Sequence, residues 1–421
     1  MTKKQNQGFD QLGLAPKLLS ILEQQKLFKP TPIQHQAIPA ALEGKDIIGI
    51  AETGTGKTLA FGLPIIQRIA RTKGKALVIL PTRELAVQVN ESLMKIGGAV
   101  GLKTAVLIGG VPMHRQVQML RRRPHLIIAT PGRLVDHLQQ KTVSLAEFTI
   151  VVLDEADRML DIGFAPQIKQ IMELVPTKRQ TMLFSATMPP EIVTLASRFM
   201  KLPLRIEVSP PGTASRQVEH EVYIVSKEIK MQLLEKLLTD SQGSILVFTR
   251  TKYGAKKVAA ATKHMGFNAV EIHSDRSQSQ RLAALEGFKS GIFRVLVATD
   301  IAARGIDVSN IRLVINYDLP ANSDDYVHRI GRTGRAGNTG KAISFSEPSQ
   351  RGDVRQIEKL IRKSIAVLPL PVLPPRRAPS PRPFFSEQQS KREKINKAEI
   401  ERGHTLGYRF KKKPRYPEYS R

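Results

Sequence analysis

The sequence predicts an α/β chain in which a buried parallel sheet is drawn twice, and three observations predict it. Short β-branched apolar runs alternate with longer helical stretches along most of the chain. The runs lack the in/out alternation of a half-solvated sheet, so they read as parallel strands covered on both faces. Each unusual polar motif begins where a run ends, and in such sheets ligands bind outside the carboxyl ends of the strands.

In the first half the runs are I-I-G-I (47–50), A-L-V-I-L (76–80), A-V-L-I (105–108), L-I-I-A (126–129), I-V-V-L (150–153) and T-M-L-F (181–184). In the second they are I-L-V-F (245–248), V-E-I (270–272), V-L-V-A (295–298) and L-V-I-N (313–316). The seam lies at S-P-P-G-T-A (209–214), where two prolines and a glycine suit a linker and not a buried strand. The expected division is therefore 1–208, a linker at 209–217, a second domain at 218–365 and a tail at 366–421. The tail opens with L-P-L-P-V-L-P-P, expected to be extended, and continues basic. From 376 onward it holds 14 Lys and Arg against 5 Asp and Glu. With Phe384, Phe385, Tyr408, Phe410, Tyr416 and Tyr419 interleaved, it reads as a disordered arm able to hold RNA by charge and stacking.

The formal charge of +28 over 421 residues calls for a polyanionic partner. No apolar run approaches the roughly 20 residues of a membrane span, and the first residues lack a signal-peptide core. The absence of Cys excludes disulfides and thiolate metal sites and suits a reducing cytoplasm. Any metal is therefore expected to be a hard cation held by oxygen.

Two motifs carry the chemistry. A-E-T-G-T-G-K-T, residues Ala51, Glu52, Thr53, Gly54, Thr55, Gly56, Lys57 and Thr58, follows a strand and opens an apolar helix. It fits a phosphate-binding loop with Ala51 in place of the first glycine. The two glycines let backbone N–H groups close on phosphates at a helix N-terminus. Lys57 is expected to reach the β- and γ-phosphates, and Thr58 to ligate Mg²⁺. D-E-A-D (154–157) ends another strand with three carboxylates that are costly to desolvate without a cation. Asp154 is expected to complete the Mg²⁺ shell, and Glu155 to accept a proton from the water attacking the γ-phosphate. Alternation along the strand is expected to point these two side chains apart, with Asp157 beyond the strand end.

With these motifs in place, the chain resembles a DEAD-box RNA helicase of superfamily 2 from about Phe9 to about residue 360, with the bacterial RhlE-like group in view. The resemblance implies two tandem RecA-like domains, ATP with Mg²⁺, and RNA as partner. It makes P-T-P-I-Q (30–34) the adenine-reading element: Gln34 on the adenine edge, Thr31 near the phosphate loop, Phe9 ahead of both. The chain departs at K-L-F (26–28), with Lys26 where the family has Gly, Leu27 where it has an aromatic ring, and Phe28 one position late. RNA contacts are implied for Pro81, Thr82 and Arg83, for Gly109 and Gly110, and for Thr130, Pro131, Gly132 and Arg133. Thr82 also reads as a helix cap, with Glu84 in the first turn. Ser185 and Thr187 of S-A-T are implied to link the tetrad to strand separation. In the second domain Arg250, Gln278, Arg281 and Thr299 fall on the RNA side, and Gly305 and Asp307 on the nucleotide. H-R-I-G-R-T-G-R (328–335) supplies Arg332 and Arg335 as arginine fingers, with His328 touching the tetrad near Asp157.

The implied activity is RNA-stimulated ATP hydrolysis coupled to domain closure and local, sequence-tolerant duplex unwinding or RNP remodelling. The alternative is an ATP-gated RNA clamp or annealing chaperone. A monomer acting in the cytoplasm on single strands and short duplexes of ribosomal or messenger RNA is expected.

Overall fold

The structure, a computed structural model, describes residues 8–51, 54–72, 74–208, 218–300, 311–334 and 340–375. Two seven-stranded sheets dominate it. The first contains β1 (Ile47–Ile50), β2 (Lys75–Ile79), β3 (Thr104–Leu107), β4 (Leu126–Ala129), β5 (Phe148–Leu153), β6 (Gln180–Ser185) and β7 (Leu204–Glu207). The second contains β8 (Val218–Ile224), β9 (Ile245–Thr249), β10 (Ala269–Ile272), β11 (Val295–Thr299), β12 (Leu313–Asn316), β13 (Gly340–Ser346) and β14 (Ala366–Val367). Every predicted strand is present within a residue or two of its expected bounds.

The first sheet is ordered β3-β4-β2-β5-β6-β1-β7 and the second β10-β11-β9-β12-β13-β8-β14. Shifted by seven, the two orders are identical, so one parallel design occurs twice. All neighbouring strands pair parallel. Helices cover both faces, as the apolar runs require. On one face of the first sheet Ile33, Phe61 and Phe184 share a core, and on the other Leu77, Met159 and Ile171 do. In the second sheet Leu233, Val247 and Phe345 pack on one face, and Leu246, Ile272 and Phe288 on the other.

Four strands are not marked by unbroken apolar runs. β7 is an edge strand with only Ile206 buried. β8 and β13 carry polar residues such as His220 and Ser344 that are buried all the same. β14 corrects the expected start of the tail. Residues 366–367 pair with β8, Leu368 and Leu373 pack on the core, and Gln232 Nε2 donates to Pro374 O at 2.8 Å. The prolines cannot donate to a ladder, but an edge position asks for few donors. The expected linker at 209–217 and the tail from 376 lie outside the described residues.

Candidate active site

The strand order sorts the motifs. In the first domain those expected to contact RNA follow β2, β3 and β4, three adjacent strands, and those expected to contact nucleotide or couple to it follow β1, β5 and β6. Both sets sit at the carboxyl end of the sheet.

At the phosphate loop, Gly54 and Gly56 take φ of 88° and 93°, a region costly for other residues. Lys57 starts the helix Lys57–Thr72, is buried, and donates from Nζ to Ala51 O at 2.9 Å. Gln34 is engaged here too: Nε2 donates to Gly56 O at 3.0 Å, and Oε1 accepts from Thr31 N–H at 2.9 Å. A Cβ on Gly56 would lie 2.4 Å from Gln34 Nε2, so only glycine admits this contact. Gln34 thus braces the phosphate loop through both ends of its amide. Thr31 lies beside the same loop as the N-cap of the helix Pro32–Leu42, with its Oγ1 buried. Phe9 is a correction. It is buried in the core with Leu12 and Ile33, because the turn Phe9–Leu12 folds it inward. Phe28 is the exposed ring nearby in sequence, 63% accessible.

The tetrad is buried throughout, with Asp154, Glu155 and Asp157 each at most 5% exposed. Asp154 Oδ1 accepts from Glu155 N–H at 2.9 Å. Burial pushes the Asp154 carboxyl up to about 6, against the pull of the Lys57 ammonium. Glu155 does not diverge from Asp154 by strand alternation, since β5 ends at Leu153. Its left-handed backbone, φ 52° and ψ 51°, turns it instead. Burial raises the Glu155 carboxyl, but Arg158, Lys57 and Arg332 together hold it below its ordinary value. Arg158 Nη1 lies 3.1 Å from Glu155 Oε2 in a buried ion pair that the sequence reading missed. The two residues are three apart, Glu155 at the N-cap and Arg158 in the first turn of the helix Ala156–Asp161.

Asp157, Ser185 and Thr187 meet as expected. Asp157 Oδ2 accepts from Ala186 N–H at 3.0 Å, from Thr187 N–H at 2.9 Å and from Thr187 Oγ1 at 3.0 Å. Ser185 Oγ accepts from Asp157 N–H at 3.2 Å. Burial raises this carboxyl, but His328 when its imidazole is protonated, Lys57 and the accepted bonds outweigh it and hold it low.

The second domain reaches the same place. The helix Ser323–Ile330 carries His328 at its end, and Arg332 follows, buried, its Nε donating to His328 O at 3.3 Å. Burial, then Arg158, lowers the His328 imidazole to about 4, so it is neutral at pH 7. Arg329 between them clamps Asp300, with Nη2 donating to Oδ2 at 2.8 Å, and its Nη1 donates to Asp318 O at 2.6 Å. This clamp ties the finger helix to the turn after Thr299, a tie that sequence spacing did not reveal.

On the RNA-side strands, Thr82 caps its helix by accepting from Leu85 N–H at 3.3 Å, in keeping with its reading as a cap. Pro81 and Thr130 are buried beside it, Pro131 opens the next helix, and Gly132 has open space at its Cβ position. The Arg83 guanidinium lies against Gly109 and Gly110, where added Cβ atoms would come within 2.8 Å and 2.3 Å of it. Those glycines therefore admit Arg83 as well as any ligand. Arg133 Nη1 donates to Val111 O at 2.7 Å, so this guanidinium holds the loop rather than standing free. Arg281 is a further correction. Its Nη2 lies 2.8 Å from Glu84 Oε2, and the two side chains are only 8% and 1% exposed. It joins the two halves instead of facing solvent. Gln278 beside it in sequence is buried with neither amide atom partnered among the described residues. Arg250 is exposed, with Nη2 donating to Leu319 O at 3.2 Å.

Comparison with known proteins decides the family. A model described as DEAD/DEAH box helicase matches residues 31–195, and one described as Helicase conserved C-terminal domain matches 229–337. An ATP-dependent rRNA helicase RRP3 of Candida albicans is 45% identical over 361 residues, covering 85% of this chain and 68% of the relative. The chain belongs to the DEAD-box family of ATP-dependent RNA helicases. A DEAD-box ATP-dependent RNA helicase CshA of Geobacillus kaustophilus is 42% identical to this helicase over 368 residues, 87% of this chain and 79% of the relative. Dbp5 of S. cerevisiae, solved with RNA and ADP BeF3, superposes with a TM-score of 0.79 at 30% identity, covering 86% of this chain and 95% of Dbp5. The two sheets of the helicase are thus tandem RecA-like domains. Glu52, Thr53, Gly305, Asp307 and Arg335 lie outside its described residues. No helix of the described residues is long and apolar enough to cross a membrane.

Proposed function

We propose that ATP and a single RNA strand draw the two domains of this helicase together, and that the joined state strains the RNA path and hydrolyses ATP. The observation that carries this reading is that both joints of the joined state use one group from each domain. On the nucleotide side His328 and Arg332 line one cavity with Arg158, the ion-pair partner of Glu155 in the tetrad of the first domain. On the RNA side Arg281 pairs with Glu84. Neither domain alone neutralises the charge that builds on a transferring phosphoryl group, so turnover requires both.

The residues present fit a Mg²⁺ ion. Asp154 is a buried carboxylate with an elevated pKa and a single backbone donor, and Thr58 lies in the first turn of the phosphate-loop helix. Thr58 and Asp154 would hold the ion, which when bound supplies charge neutralisation to the phosphates. Lys57, at present on Ala51 O, exchanges that carbonyl for phosphate oxygens. Glu155, held ionised, orients the attacking water and accepts its proton. Arg332 and, by its place in the motif, Arg335 stabilise the γ-phosphoryl charge. Asp157 holds Ser185–Thr187 and so reports the state of the tetrad to the RNA side. Loss of the γ-phosphate lets the domains part.

RNA contacts through backbone phosphate and sugar make action largely independent of sequence. Structured ribosomal RNA is the proposed substrate class, supported by the rRNA helicases among the relatives. A monomer is part of the same proposal, as is work in the cytoplasm, whose reducing conditions suit a cysteine-free sequence. The test is Glu155→Gln. It should retain ATP and RNA binding but cut steady-state phosphate release by about 10²-fold or more, accumulating a joined complex. Turnover near the parent rate would refute the role of Glu155.

A further inference from the structure

The helix Met113–Arg121 connects the Gly109-Gly110 loop to β4. As a crossover between the parallel strands β3 and β4, it runs from the carboxyl edge of the sheet to the opposite edge. Its nine residues span about 13 Å. Only Gln116 is buried. His114, Arg115, Gln118, Arg121 and Arg122 are all exposed, and at 100° per residue they fall within an arc of about 120°. No acid shares that face. No Asp or Glu occurs anywhere between Glu91 and Asp136, an interval with seven Lys and Arg. Solvent-facing helices ordinarily mix both signs, which support each other three or four residues apart.

Helix stability does not account for this pattern. A cation at Arg121 complements the C-terminal end of the helix dipole. Arg115 lies in the first turn, where a positive charge opposes the dipole and no acid offsets it. Among the described residues no ion pair neutralises Arg115, Arg121 or Arg122. Past the helix, Arg123 and Lys103 extend the positive strip at the far edge, where Lys103 N–H donates to His125 Nδ1 at 3.1 Å.

The strip is built rigidly onto the loop. Gln116 Nε2 donates to Ile108 O and to Val111 O, each at 3.0 Å, and its Oε1 accepts from Ile108 N–H at 3.1 Å. His137 Nε2 lies 3.3 Å from the same oxygen. That oxygen can only accept, so the imidazole carries its proton on Nε2. The loop is therefore gripped on both sides of Gly109-Gly110 by the helix that bears the cations.

We infer that the outer face of Met113–Arg121 is a second RNA-binding track, taking the phosphates of the strand that leaves the Gly109-Gly110 loop. This rests on the RNA reading of that loop. The track contacts backbone only and adds no base preference. It lets the helicase keep hold of flanking RNA along the side of the first domain.

The test uses the full chain with Arg115, Arg121 and Arg122 all changed to Gln. Binding is followed by anisotropy against salt with two oligouridines, one of about 6 and one of about 16 nucleotides. Each lost phosphate contact lowers the slope of log affinity on log salt by about 0.7 on single strands, so the long strand should lose about 2. Between about 50 and 200 mM salt this removes roughly 16-fold of its salt sensitivity. The short strand and the ATPase rate it saturates should not change. An unchanged slope with the long strand overturns the track. So does an equal loss with the short one, which would mean the loop itself had been disturbed. Arg83→Ala separates the two readings. It should weaken both strands, and if it weakens neither, the loop reading fails whatever the helix variant does.

Discussion

Arg281→Ala tests the joint on the RNA side. The substitution leaves Glu84 as a carboxylate 1% exposed, with its Oε1 already lacking a partner. Breaking a buried pair by removing one member costs about 3–5 kcal/mol, because the remaining charge is uncompensated. The cost falls only on the joined state, since parting the domains returns Glu84 to water. At about 1.4 kcal/mol per decade, the lower figure disfavours joining by roughly 100-fold. RNA-stimulated turnover at limiting RNA should fall by about that factor, while ATP affinity without RNA holds. Dyes on the two domains should report the loss of the joined state with RNA and a non-hydrolysable ATP analogue. The double variant Glu84→Leu, Arg281→Met removes both charges and should recover most of the loss. Two results refute this reasoning: parent-like joining in Arg281→Ala, or a double variant no better than the single one. The second is what a direct contact of Arg281 with RNA would produce.

Two further outcomes follow from burial and packing. His328 titrates near 4 in the folded chain, below the ordinary value of about 6.5, so the unfolded chain binds the extra proton in that window. Its contribution to stability is complete above about 6.5 and lost as pH falls toward 4, a swing of about 3 kcal/mol. Denaturant titrations from pH 7 to 4 should show parent and His328→Gln diverging by that amount; parallel curves would contradict it. Separately, a chain ended after Pro375 should melt like the parent, while one ended after Ile365 should lose about 2 kcal/mol. That loss reflects Leu368 and Leu373, each packed but only half-buried. Equal melting midpoints for the two truncations would show that residues 366–375 add nothing.

The motifs and the strands that present them were legible in the sequence because both depend on neighbours along the chain. A phosphate loop needs a strand before it, glycines within it and a helix after it, all inside a dozen residues. Buried parallel strands announce themselves by unbroken apolar runs such as I-V-V-L before D-E-A-D. Strands whose burial depends on partners elsewhere, such as β8 with its buried His220, gave no such signal. The same line divides the site. Asp154, Glu155 and Asp157 were placed by their own segment, and the Asp157 bonds to Thr187 were implied by the family resemblance alone. Arg281 was read from its segment as facing RNA, yet it pairs with Glu84, 197 residues away. Phe9 and Gln34 were likewise placed by motif, but packing turned one into the core and the other onto Gly56. What the sequence determined by itself was the chemistry present at each strand end. Which partner each charged or polar group takes was decided only by the tertiary structure. Burial makes an unpaired group costly, and pairing is satisfied by whatever the fold brings near, whatever the separation along the chain.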